Sequence, residues 1–252
     1  MAAGRLTPVL PIRLAALAVL LLAWQLAAAL AASRLLPTPL AVFATMARLT
    51  RSGELPWNLA ITLARVAVAF AISLLIGSAL GIAMGLFRRL DLALDSLVTI
   101  LLNLPALVVI VLLYVWFGPS ELTAIGAVAL IKLPSTVVTL REGARALDPS
   151  LAEMATSFRM PRARTLRHVI LPQLTPYILA AARAGLALIW KIVLVVELLG
   201  RSNGVGFEIE IYFQLFDVTA ILAYTTAFIL IVQGIEWTVL QPLERRTGQW
   251  RT

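Results

Sequence analysis

The sequence predicts an all-α membrane protein with about six spans, and three observations lead there. First, 61% of its 252 residues are hydrophobic and 13% are charged, about half the charged share of a soluble domain; mean hydropathy is +0.94. Such a chain is solvated by lipid. Second, the apolar residues fall in runs of about 20 or more, the length a helix needs to cross the hydrocarbon core. Third, the arginines gather in the connectors between those runs. The net charge of +8 is therefore a topology signal and gives no reason to expect a nucleic-acid partner. There are no cysteines, which removes disulfides and thiolate metal sites. The length suits one membrane domain over residues 1–252, with no room for a second soluble one.

The spans read in order as residues 12–32, 58–86, 92–117, 121–140, 174–200 and 219–240. The first resembles a signal peptide in having Arg5 and Arg13 ahead of an apolar run and small residues after it. Its run is longer than a signal h-region of about 7–15 residues, so it is expected to stay as a helix. Between the first two spans, AVFATMARLT suits an amphipathic helix at the surface. The second span carries Ser73, Gly77, Gly81 and Gly85, each four apart, which makes one small-residue face for close helix packing. Asn103 and Pro105 in the third span and Pro134 in the fourth are places where a helix can break and line a path. FEIEIYFQLF, after the fifth span, suits a short helix or a re-entrant piece.

Orientation follows from arginine bias. With the amino terminus inside, the inner connectors hold 13 arginines: Arg5, Arg13, Arg88, Arg89, six in one loop, Arg245, Arg246 and Arg251. The outer connectors hold four: Arg34, Arg48, Arg51 and Arg201. Both termini are expected to be cytoplasmic.

The one long charged interlude is the loop of residues 141–172, which contributes Arg141, Arg145, Arg159, Arg162, Arg164 and Arg167. Asp148 before Pro149 is a helix start, with Ser150 and Glu153 at capping-box spacing. A short helix is expected over 149–158, apolar on the side of Leu151, Met154, Ala155 and Phe158. A second begins at Pro161 and is expected to stop before Leu171-Pro172, since proline disfavours helix at the residue before it. From the residues alone, this loop is either a compact knob offered to a partner or an amphipathic strip lying on anionic lipid.

Glu153-Met154-Ala155, then Arg159, then Val169-Ile170-Leu171-Pro172 resembles the EAA loop of ABC importer permeases. That pattern runs Glu-Ala-Ala, three residues, Gly, nine residues, Ile, any residue, Leu-Pro. Met154 stands where the pattern has alanine, and Arg159 where it has the glycine that permits a turn with positive φ. LLPTP, FRRLD, YVWFG, GLALIWKIVLVVELLG, SNGVGF and LERRTGQWR are similar, in the same order, to the nitrate/sulfonate/taurine-type permeases. The resemblance implies a MetI-like fold of the type I importers in the bacterial inner membrane. It implies a dimer of this subunit, two ABC ATP-binding subunits beneath it and a periplasmic or lipid-anchored substrate-binding protein outside. It makes the loop's first helix the coupling helix, with Glu153, Met154, Ala155, Phe158, Arg159, Pro161 and Arg162 at the ATPase contact. It implies alternating access for a small solute such as a sulfonate, taurine or nitrate. The chain has no GxxxxGK[ST] phosphate loop, so ATP and Mg are expected on the partner, with no cofactor and no catalysis here.

Lys132, Arg183, Lys191, Glu197 and Glu236 fall within or near spans. A charge at mid-bilayer normally faces a cavity or a partner. Arg183 and Glu236 read as interfacial, whereas Lys132 and Lys191 lie deeper. Lys191 and Glu197 are six apart, about 120° from one another at about 100° per residue, so they are no simple pair. Lys191, aided by Lys132, with Glu197 and Asn103, is the candidate translocation path for an anion; the alternative is that the lysines are neutralised by Glu197 or by carbonyls. The rival function is a secondary transporter driven by an ion gradient, with Glu197 and Glu236 as proton carriers; no inverted repeat supports it. His168, the only histidine, has no neighbouring set with which to make a metal site or a nucleophilic pair.

Overall fold

The computed structural model describes residues 9–31, 33 and 35–240, without the side chains of residues 9–14, 152, 162, 239 and 240. The expectations resting on Arg5, Arg34, Arg245, Arg246 and Arg251 and on the side chain of Arg13, including the side on which the termini lie, fall outside what is described. The described chain is helical, in the order α1 (Val9–Ala31), α2 (Pro39–Arg51), α3 (Glu54–Leu86), α4 (Arg88–Asn103), α5 (Ala106–Phe117), α6 (Glu121–Arg145), α7 (Pro149–Ser157), α8 (Arg162–Thr165), α9 (Leu171–Gly200), α10 (Val205–Gln214) and α11 (Val218–Ile235). Among the described residues four helices are long and apolar enough to cross a membrane, and a broken pair makes a fifth. The 23 residues of α1 give about 35 Å at 1.5 Å each, the length of a sixth.

The core lies where α3, α6, α9 and α11 meet. Leu49, Ile189, Val193 and Tyr224 are fully buried there. The small-residue face of α3 does what its spacing predicts. A Cβ on Gly77 would stand 2.8 Å from Thr136 Cβ, so α3 and α6 touch too closely for any larger residue. The amphipathic α2 is capped by Thr38, whose hydroxyl accepts from Ala41 N at 3.3 Å, and it buries Val42 and Leu49. Trp24 of α1 reaches across to donate to Pro37 O at 3.0 Å.

The third span breaks at Pro105, as its proline allows, and α4 and α5 meet at a bend of 100°; α6 runs unbroken through Pro134. Pro105 has no N–H for a helix bond and forces the residue before it out of the helical region, so Leu104 is extended at ψ 130°. The second loop helix does not stop before Leu171-Pro172. It passes through a π-helical turn, Leu166–Ile170, and runs on as a rod from Ala163 to Gly200. The wider turn, closed by Leu171 N to Leu166 O, accommodates a proline that an α-helical turn would reject.

Candidate functional site

Chemistry-bearing residues gather at three levels of the bundle. At the loop end, α7 is capped by Asp148, whose carboxylate accepts from Ser150 N at 2.8 Å and Ser150 Oγ at 2.7 Å. The Ser150 hydroxyl, then its backbone amide, holds the Asp148 carboxyl below its usual range. Ser150 thus serves the Asp148 cap instead of forming its own box with Glu153. The helix ends in a Schellman turn: Arg159 N donates to Thr156 O at 2.9 Å and Met160 N to Ala155 O at 2.9 Å. Arg159 takes φ +50°, the left-handed conformation usual for glycine. The arginine has not rerouted the chain; it occupies the glycine conformation at a cost of about 1–2 kcal/mol.

One face of α7 is closed and the other open. Ala155 is 2% exposed against the π turn, where Val169 is also buried. Leu151, Met154 and Phe158 face outward, Phe158 at 76% exposure. Glu153 and Pro161 are exposed as well; the side chain of Arg162 is outside the described set. Gln173 ties α7 to the rod: its Oε1 accepts from Asp148 N at 2.9 Å while its Nε2 donates to Val169 O at 2.9 Å. Beside it, Arg141 and Arg145 of α6 clamp α4. Arg141 pairs with Asp91 at 3.4 Å and Asp95 at 2.5 Å, and Arg145 pairs with Asp91 at 2.5 Å.

At mid-height the two lysines part company. Lys132 is 4% exposed, and its Nζ donates to Ser135 Oγ at 2.6 Å. Lys191 is exposed and lines an open groove of about 520 Å³ between α9 and α11 with Trp190, Phe228, Gln233 and Glu236. Glu236 also pairs with Arg183 at 3.6 Å. Asn103 is exposed at the end of α4, its amide donating to Thr99 O at 2.7 Å. The structure brings Asn103 to the α4–α5 break, and it does not place Lys132 and Lys191 in one cavity.

At the far end, Glu197 is fully buried. It accepts from Arg65 Nη1 at 2.7 Å, Thr62 Oγ1 at 2.9 Å and Gly206 N at 2.8 Å. Arg65, 3% exposed, also grips Glu121 through Nε at 2.6 Å and Nη2 at 2.9 Å, and it bonds both oxygens of Asn203. Arg201 reaches the same Glu121 at 2.8 Å. Asn58 accepts from Gly204 N at 2.8 Å and donates to Glu208 at 2.9 Å. Gly204 sits at φ +106°, and a Cβ there would come within 2.5 Å of the Glu197 carboxyl, which is why glycine stands there. Glu197 therefore neutralises Arg65 and neither lysine, and its carboxylate is committed to a clasp joining α3, α6, α9 and α10.

The sequence reading missed Arg65, Glu121, Thr62 and Asn58. The available signal was an arginine 11 residues into α3, inside a span and hence in need of a carboxylate partner. Among the described residues no group of three His, Asp or Glu side chains is placed to hold a metal.

The model of the family described as binding-protein-dependent transport system inner membrane component matches residues 73–235. A relative in Bacillus subtilis (strain 168), named as the aliphatic sulfonates transport permease SsuC, is 31% identical over 236 residues, 93% of this chain and 85% of its own. The bicarbonate transport system permease CmpB of Synechococcus elongatus is 30% identical, with 81% and 77% covered. The taurine transport system permease TauC of Escherichia coli (strain K12) is 28% identical, with 77% and 70% covered. Among solved structures, an amino acid ABC transporter chain aligns at TM-score 0.64 and 21% identity over 79% of this chain and 97% of that one. The inward-facing MetNI methionine transporter aligns at 0.63 and 17%, over 74% and 92%. These two likenesses bear on the fold, which is that of the MetI-like permeases.

Proposed function

We propose, for a chain that belongs to the family of binding-protein-dependent transport system inner membrane components, that it works as one of two identical permease subunits driven by ABC ATPases docked on α7. Membership makes it a multi-pass membrane permease of an ABC importer, and the ion-gradient rival is not favoured. The remainder is the reading advanced here. The loop end is cytoplasmic, as its arginines suggest. Closure of the ATPase pair draws two α7 helices together, and alternating access follows as the rods behind them rock. ATP and Mg stay on the partner, and this subunit performs no chemistry.

The observation that carries the reading is α7 itself. It is capped at both ends and pinned to α9 through Gln173, yet among the described residues its apolar face stays exposed, Phe158 at 76%. A rigid helix with an open apolar face in water suits a groove on another protein. Glu153, Met154, Phe158 and Pro161 lie on or beside that face, while Ala155 and Arg159 shape it; Arg162 follows Pro161 in the chain. For cargo, relatives named for aliphatic sulfonates, taurine and bicarbonate share one chemistry, a small solute with an anionic group. Lys191, at mid-span on an open groove, is the cation placed to meet it, because a lysine at that depth is not left facing lipid. A periplasmic or lipid-anchored binding protein delivers the cargo.

The test is co-purification of the tagged protein from native membranes, followed by an ATPase assay. Recovery of an ATP-binding subunit that is lost when residues 149–160 are deleted supports the reading. A protein purified without any ATPase, and active in transport under a proton gradient, contradicts it.

A further inference from the structure

Of the 16 side chains of α4 only Val98 is buried, in a small cluster with Met84 of α3 and Val137 of α6. The helix is about 24 Å long at 1.5 Å per residue, and an extended residue stands at each end. Phe87, at φ −114° and ψ 97°, joins it to α3, and Leu104, at φ −71° and ψ 130°, joins it to the bend before α5. Residues at element ends absorb the φ/ψ change when a rigid piece swings. A helix that buries so little between two such joints pivots unless something else fastens it. The fastening is the ion cluster at its inner end.

Asp91 and Asp95 stand four apart on α4, and Arg141 and Arg145 stand four apart on α6, so each pair shares one face of its helix. Arg145 meets Asp91 at 2.5 Å and Arg141 meets Asp95 at 2.5 Å, with Arg141 to Asp91 at 3.4 Å crossing between them. Glu142 accepts from both arginines, at 3.3 Å from Arg141 and 3.0 Å from Arg145. Arg141 and Asp91 are 13% and 15% exposed, so the cluster is no loose surface pair. Asp91 lies in the first turn of α4 and Arg145 in the last turn of α6, each with the sign its helix dipole favours. Nor does α6 slip against α3: a Cβ on Gly85 would stand 2.5 Å from Ala144 Cβ. Only residues 146–148 separate α6 from α7, and the last of them, Asp148, is held by Gln173.

We infer that Arg141 and Arg145 are positioning residues that carry the stroke of α7 into α4, so that the inner half of the broken span rides with α6 and delivers the movement to the bend at Leu104-Pro105. The inference rests on the reading that an ATPase drives α7 and extends it: the rod of α9 is one output of the stroke, and α4 is a second. Coupling between distant places travels through contiguous packed or ion-paired networks. Here the network runs from α7 through residues 146–148, the last turn of α6 and the clamp to α4. The movement has a consequence for the path because of what α4 carries. Ser96, Thr99 and Asn103 are exposed and fall within about 60° of one another at about 100° per residue, turned away from Val98. A polar line within a span borders water or protein in preference to lipid.

The test uses the assembled transporter in lipid vesicles with one reporter, Ala93→Cys, at an exposed position of α4 in a chain that has no cysteine of its own. Maleimide labelling of this subunit is timed with and without ATP and vanadate, beside ATPase and uptake. With the clamp intact, nucleotide is expected to change the labelling rate at least threefold. Arg141→Gln with Arg145→Gln is expected to remove that response and to cut uptake per ATP at least fivefold, while hydrolysis continues because the face of α7 is untouched. Arg141→Lys with Arg145→Lys keeps both charges and is expected to retain most of the response. Asp91→Asn with Asp95→Asn breaks the clamp from the α4 side and is expected to reproduce the glutamine result, and it carries the test where the arginine variant does not fold. A nucleotide response that survives in the clamp-broken variants overturns the inference and leaves docking on α7 standing, as does labelling that ignores nucleotide in a reporter protein that couples ATP to uptake. Loss of the folded protein from membranes in both clamp-broken variants marks the clamp as a structural tie and overturns it too. A reporter protein that recovers no ATPase contradicts the docking reading itself.

Discussion

The two ends of this bundle solve opposite problems. At the far end, Arg65, Glu197, Glu121, Thr62 and Asn58 spend nearly every donor and acceptor on one another and on the Gly204–Gly206 backbone, and Arg65 and Glu197 are buried. At the loop end, α7 satisfies its backbone with two good caps and leaves its apolar side chains in the open. The first arrangement fixes three spans and α10 as a unit. The second is a firm handle whose apolar face stays exposed among the described residues. A transporter that converts a partner's motion into rocking needs both, because a push on α7 moves spans only if those spans do not give way at their other end.

The sharpest break of this contrast is Glu197→Ala. It leaves Arg65 paired with Glu121 alone and takes the acceptor from the buried Gly206 N–H and the Thr62 hydroxyl, each costing about 1–3 kcal/mol. The expected outcome is loss of the folded protein from membranes, or a large drop in melting temperature in detergent. Next comes Phe158→Asp, at a side chain that touches little within the chain. It is expected to leave the melting temperature unchanged and to cut substrate-stimulated ATPase of the assembled transporter at least tenfold. Gln173→Leu is expected to lie between the two ends in kind. Both of its hydrogen bonds at the loop are lost, stability falls by about 1 kcal/mol, and ATP hydrolysis continues with less uptake per ATP. Arg159→Gly removes a left-handed arginine, and it is expected to stabilise the protein by up to about 1 kcal/mol, read as a small rise in melting temperature. The smallest effect concerns pH. Asp148 is held below its ordinary value by Ser150, so its cap is complete above the unfolded carboxylate range and is lost as pH falls through the lowered folded value. Hydrogen-exchange protection at Ser150 N is expected to hold from neutral pH down to about 4 and to fall below that.

The loop end was far more legible in the sequence than the far end, and the reason is physical. Helix caps and spans are local: Asp148-Pro149, the apolar runs and the Ser73-Gly77-Gly81-Gly85 face each declare themselves within a few residues. The break at Leu104-Pro105 was marked by its proline, although its 100° bend was not. The π turn at Leu166–Ile170 was not read, because its local mark, Pro172, suits a helix stop as well as a widened turn. The clasp joins residues 132 and 56 positions apart, Arg65 to Glu197 and Arg65 to Glu121, and no periodicity encodes such a pairing. The motif glycine replaced by Arg159 shows the reverse case. The family pattern alone foretold a positive φ, and residue type argued against it.

The most direct measurement compares Phe158→Asp with wild type in one purified assembly, reading melting temperature and substrate-stimulated ATPase together. The account predicts an unchanged melting temperature with ATPase uncoupled from substrate. Full coupling in Phe158→Asp would contradict it, and would show that the open face of α7 is not where the driving partner docks.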